Sequence, residues 1–116
     1  MPERVQRKRT KGWRMPENTI YVGRPTKWGN PYHVRYLGGH RWVVFDGNGN
    51  TVGSVFHAAH LARWYAVDLY RQMMEAELKA NPAALEGLSG KNLACWCSPD
   101  LACHGDVLLS LANQGG

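Results

Sequence analysis

Nowhere in this 116-residue chain do about 18 apolar residues run together, so no segment reads as a membrane-spanning helix. The first residues are basic and lack the apolar stretch of a secretory signal, which makes a cytoplasmic protein the expectation. Cysteine is scarce. Its count of three is odd, which excludes a closed disulfide framework and fits a reducing compartment with thiols free or metal-bound. Familiar catalytic signatures are missing too. His57 and His60 stand at i and i+3 without the HExxH pattern of metalloproteases. The paired H-x-E and P-C-x-x-C motifs of zinc deaminases are absent. The glycine-rich "DGNGN" joins two β-rich runs instead of opening a helix, and no lysine follows it. It therefore reads as a hairpin turn and not as a phosphate loop.

What the chain does have is an uneven charge. Of 14 basic residues, Arg4, Arg7, Lys8, Arg9, Lys11 and Arg14 fall in the first 14 positions against Glu3 alone, so that segment carries the whole formal net charge of +5. The remainder is balanced. The expected organisation is a basic arm over residues 1–11 and a single α/β domain over 12–116. Such an arm suits a polyanion, through phosphate contacts and counterion release, or serves solubility as a solvated tail.

The periodicities predict a strand ending at Gly23, a loop through "RPTKWGNPY", and a hairpin through "RWVVFDGNGNTVGSVF". A long helix follows over residues 57–79. Ala58, Leu61, Ala62, Tyr65, Leu69, Met73 and Ala76 recur on it at spacings of three and four. "KNLACWC" reads as a second apolar strand, "SPD" as a turn, and "ACHGDVLLSLAN" as a closing helix. The fold class expected is α/β: a small mixed sheet with a β-hairpin, one long crossover helix and a C-terminal helix. If strands 20–23 and 91–96 lie parallel, both deliver their following loops to one edge, where ligands bind in open α/β sheets.

One of those loops, "CWCSPDLACHGD", holds every cysteine. Cys95 and Cys97 share a strand face, and Cys103 and His104 follow the turn. Three sulfurs and an imidazole make a complete tetrahedral set for zinc. Adjacent residues on a regular helix diverge by about 100°, however, so Cys103 and His104 reach one ion only if the backbone is irregular there. A second reading takes Cys103 as a thiolate nucleophile at a helix N-terminus, with His104 or Asp106 moving protons. A third leaves the cysteines as packing residues.

The other loop offers Arg24 and Lys27 as cationic donors, Trp28 as an aromatic face and Asn30 as donor and acceptor. Together these suit a nucleotide, with phosphate on the cations and base on the indole. Trp28 reads equally well as a cover on the core.

Taken together, "YVGRPTKWGNPY" and "NLACWCSPDLACHGDVLLSLAN" resemble a small domain-of-unknown-function family of bacteria, notably actinobacteria, and their phages, over about residues 12–113. The resemblance implies no established activity. Its phage distribution adds weight, by association, to nucleotide or nucleic-acid work. The expected function is therefore a nucleotide- or nucleic-acid-directed protein. Its Cys/His site, with zinc as the expected cofactor, lies beside the Arg24, Trp28 and Asn30 loop. A thiol or acid–base enzyme acting on a nucleotide and a zinc-stapled interaction domain are the alternatives.

Overall fold

The computed structural model describes residues 2–98 and 100–113. Met1 of the expected arm, Pro99 of the expected "SPD" turn and the last three residues of the expected domain lie outside the described residues. In chain order the elements are β1 (Arg4–Gln6), β2 (Thr19–Tyr21), β3 (His33–Gly38), β4 (Arg41–Phe45), β5 (Thr51–Phe56) and α1 (Ala59–Ala80). A 3-10 turn (Glu86–Leu88), β6 (Asn92–Cys95) and α2 (His104–Ala112) complete it. The fold is α/β, with a long helix and a closing helix as expected.

Parallel and antiparallel strands segregate into two sheets. One has the order β1-β6-β2 and is wholly parallel, with Val5 opposite Ala94 and Ile20 opposite Leu93. The other is the antiparallel β3-β4-β5 sheet. Its β4–β5 connection is the expected turn. Asp46 accepts from the backbone N–H groups of Asn48 and Asn50 at 2.9 and 3.0 Å, so the aspartate side chain closes the loop on itself. Strand β1 lies within the segment whose charge reads as an arm, and nothing in the periodicity announces it.

Helix α1 serves both sheets. Ala62, Ala66, Tyr70 and Met74 recur every fourth residue and are buried. The two alanines face the antiparallel sheet around Val44, where a small side chain lets helix and sheet approach. Gly53 of β5 marks how close that approach is. A Cβ there would lie 2.6 Å from the Tyr65 ring. Tyr70 and Met74 enter the second core, formed with Val22, Leu88, Leu93, Val107 and Leu108 between the parallel sheet and α2. The buried stripe is thus rotated from the expected one. Leu61 and Met73 are exposed at 47% and 37%, because apolar residues occur almost all round this helix and spacing alone fits two faces.

β6 is the middle strand of the parallel sheet and is covered on both sides. Leu93, Ala94 and Cys95 are all buried accordingly. Because β1, β2 and β6 run the same way, the residues that follow Gln6, Tyr21 and Cys95 emerge at one edge. Everything with chemical interest collects there.

Candidate metal centre and its cleft

Cys95 ends β6, Cys97 sits in the turn beyond it, and Cys103 is the N-cap of α2. Their three Sγ atoms lie within 4.8 Å of one another, and Cys95 and Cys103 approach to 3.2 Å. The three can hold a metal ion. Cys103 has an extended backbone, φ −148° and ψ 145°, and its Sγ accepts the Gly105 N–H at 3.4 Å. It therefore stands outside the helical turn that begins at His104. The 100° divergence of helical neighbours does not apply to the pair.

His104 is buried and its Nε2 lies 2.8 Å from the carbonyl of Val22. A carbonyl only accepts, so Nε2 donates this bond and Nδ1 is the nitrogen turned to the sulfurs, holding a lone pair whenever the imidazole is neutral. That Nδ1 lies 3.7 Å from Cys103 Sγ. The Tyr70 ring stands edge-on to the imidazole at 5.3 Å, and the Tyr70 hydroxyl donates to the Trp28 carbonyl. A single residue of α1 thereby fixes both the imidazole and the preceding loop.

The cluster concentrates negative charge on one sulfur. Hydrogen bonds from Cys95 and Cys97, with help from His104 and the Gly105 N–H, hold the Cys103 thiol well below its ordinary range despite burial. The same contacts push Cys95 and Cys97 up. The compensating cation comes from β1. Arg4, its side chain only 9% exposed, places Nε 3.3 Å from Asp106 and donates from Nη2 to the Ser98 carbonyl at 3.1 Å. Burial works against its charge, but the Cys103 sulfur and Asp106 outweigh this and hold the guanidinium above its usual range.

A cleft of about 460 Å³ opens beside the sulfurs. Cys95, Cys97, Cys103 and His104 line one side, and Arg24 and Asn30 the other. The loop after β2 thus meets the loop after β6, as the parallel pairing requires. Gly29 lets that loop fold back on itself: a Cβ there would sit 3.2 Å from the Arg24 backbone. Arg24 uses Nε and Nη2 on the carbonyls of Asn30 and Tyr32. Asn30 is buried, donating to Ala66 and accepting from the Tyr32 N–H. Trp28 packs on the core with Lys27 over its ring at 4.8 Å, and neither lines the cleft. Asp106 is 53% exposed and also stands outside the lining, as do His57 and His60.

Sequence reasoning did not find Arg4, Tyr21, Arg63, Tyr70 or Trp96. Arg63, Tyr21 and Trp96 complete the cleft wall. Arg63 carried no local signal, being one of several charges on a long helix. Trp96 lay in plain view between two cysteines, and an alternating strand assigns it away from them. No carboxylate is among the lining residues. His33, also in the wall, is held below its ordinary range by partial burial and by Arg24, so the standing cations of the cleft are Arg24 and Arg63.

Residues 5–114 match the domain of unknown function DUF4326, and the chain belongs to that family. No curated protein and no solved structure gives a significant match to it.

Proposed function

We propose that this DUF4326 protein is a zinc-centred domain directed at a nucleotide or nucleic acid. Cys95, Cys97, Cys103 and His104 Nδ1 supply the ligands, and the adjoining cleft takes a phosphate-bearing group. The observation that carries the reading is three sulfurs within 4.8 Å of one another, with the His104 Nδ1 3.7 Å from one of them.

The donor set favours zinc: thiolates and imidazole in a fourfold group suit a tetrahedral, borderline-soft ion. Zn–S bonds of about 2.3 Å put tetrahedral sulfurs about 3.8 Å apart, inside the range spanned here. A metal-bound histidine ordinarily gives its other ring N–H to a carbonyl or carboxylate, and Val22 stands in that position for His104. Zinc with three thiolates and a neutral imidazole carries one surplus negative charge. Arg4 is the buried cation placed to offset it. For the ligand, a cleft with two arginines and no carboxylate in its wall favours an anion. Tyr21, Tyr32 and Trp96 supply faces for a base.

The alternative, Cys103 as a nucleophile, draws on its depressed thiol and its N-cap position. Its 2% exposure and the placement of Asp106 outside the cleft weigh against it.

Metal analysis of protein purified under reducing conditions separates the two. About one zinc per chain is expected, lost in Cys97→Ser and Cys103→Ser. Chelation should lower the thermal midpoint by about 10 °C or more, since a ligand at 100 times its Kd adds about 2.7 kcal/mol to a small domain. Metal-free protein with one rapidly alkylated cysteine would overturn the zinc centre in favour of the nucleophile. Calorimetry with a panel of mononucleotides tests the cleft. Binding weakened about tenfold in Arg63→Gln is expected, and heats indistinguishable from dilution would remove the nucleotide reading.

A further inference from the structure

The edge that carries the metal centre has a second concavity on the other side of Trp96. It is an open depression of about 570 Å³ lined by Arg7, Lys8, Arg9, Trp13, Met15 and Trp96, without an acidic residue. Its position follows from the sheet. β1 ends at Gln6, and the Arg7 N–H continues the parallel ladder onto the Cys95 carbonyl at 2.7 Å. The next three side chains, all cationic, are thereby held beside the start of the cysteine loop.

The arginines are arranged in order. The Arg7 guanidinium lies over the Tyr21 ring at 4.7 Å and over the Trp96 ring at 5.1 Å, and Arg9 covers Trp96 at 4.8 Å. Arg7 thus bridges the Tyr21 and Trp96 rings, and Arg9 also lies within cation–π distance of Trp96. Cation–π attraction holds these guanidinium groups against the rings without consuming their N–H donors. Tyr21 and Trp96 also line the metal cleft. Trp96, which lines both, therefore stands between depression and cleft, and a chain crossing it can occupy both.

We infer that this face binds single-stranded nucleic acid. Arg7, Lys8 and Arg9 contact phosphates, Trp13 and the Arg9–Trp96 pair offer faces to bases, and the strand leads one nucleotide past Trp96 into the metal cleft. The chemistry selects a single strand. Aromatic and guanidinium faces recognise the flat faces of bases, which a duplex keeps stacked inside. A basic surface without aromatic faces would bind a duplex at least as tightly as a single strand, because the duplex releases more counterions per phosphate contact. The inference rests on the nucleotide reading of the cleft only for the strand's terminus; the depression stands on its own residues.

Fluorescence anisotropy with labelled dT12, rU12 and a 12-base-pair DNA duplex tests it on the full chain. Both single strands should bind at least tenfold more tightly than the duplex. With three phosphates neutralised, the log–log salt slope for a single strand should be about −2. Arg7→Gln with Arg9→Gln should weaken binding about tenfold and flatten that slope. Trp96→Ala should weaken it similarly and leave the slope unchanged, because a ring carries no charge. Unequal affinity for dT12 and rU12 would assign the natural strand to DNA or RNA by its 2′-hydroxyl. Failure to bind at low salt, equal affinity for duplex, or indifference to all three substitutions would overturn the inference. If mononucleotides bind and oligonucleotides gain nothing, the platform fails and the cleft stands. If oligonucleotides bind and Arg63→Gln leaves both ligands untouched, the cleft fails and the platform stands.

Discussion

His104 and Val22 meet across 82 positions of sequence, the imidazole Nε2 donating to the carbonyl at 2.8 Å, and this one bond decides which nitrogen faces the sulfurs. Two separable effects follow for His104→Ala. The metal-free protein should lose about 1–3 kcal/mol in urea unfolding, because the Val22 carbonyl is left without its donor. Zinc affinity, read by competition with a colorimetric chelator, should fall at least tenfold beyond that loss. A variant that is destabilised yet binds zinc as tightly as the parent would reduce His104 to a packing residue.

Arg4 and Asp106 form an ion pair with unequal partners, one nearly buried and one half exposed. Arg4→Met should cost about 1–3 kcal/mol, since it strips donors from the Ser98 carbonyl and the cation from the sulfur cluster. Asp106→Asn should cost under about 1 kcal/mol, as expected for a carboxylate open to solvent. Urea midpoints of the two variants decide the order. Equal losses would mean that the pair itself, and not the cluster, is what Arg4 serves.

Tyr70→Phe removes one hydroxyl and leaves the ring packed. The Trp28 carbonyl then lacks its donor, at about 0.5–1.5 kcal/mol. The loop should feel it first. Amide exchange at Gly29, whose N–H bonds Thr26 in the same turn, should speed up about as much as stability falls. Exchange unchanged there, with stability lowered, would place the hydroxyl's role elsewhere.

The stripe on α1 can be checked by contrast. Ala66→Leu should destabilise by about 1–3 kcal/mol, because the added bulk meets the antiparallel sheet. Leu61→Ala, on the solvent side, should stay within about 0.5 kcal/mol.

The cysteine cluster was legible in the sequence because its members lie within ten positions and their residue types are few. The meeting of the two loops was legible because parallel pairing of β2 and β6 dictates it. Strand β1 was not, since "RVQ" sits among charges and has no period to read. Arg4 owes its role to partners 94 and more positions away, and no local pattern announces such a contact. Trp28 and Asn30 show a second kind of contact that residue type does not announce. Trp28 packs against the core, and Asn30, while lining the cleft, also bonds the backbone of Ala66 and Tyr32. Composition gives a side chain's capacity, and only the tertiary contacts say where that capacity is used.

The order β1-β6-β2 has a consequence for synthesis. Both outer strands pair only with the middle one, and the middle one is made last; Glu3 bonds Asn92 across 89 positions. A growing chain can assemble the antiparallel sheet against α1 from neighbouring segments, but β1 and β2 have no partner until β6 leaves the ribosome. Until residues 92–95 are made, the basic segment at residues 4–14 is therefore free of the sheet. Completion of the parallel sheet, the sulfur cluster and the Arg7–Trp96 contact falls to the same stretch, residues 92–104, so translation stopped before residue 92 leaves all three unmade at once.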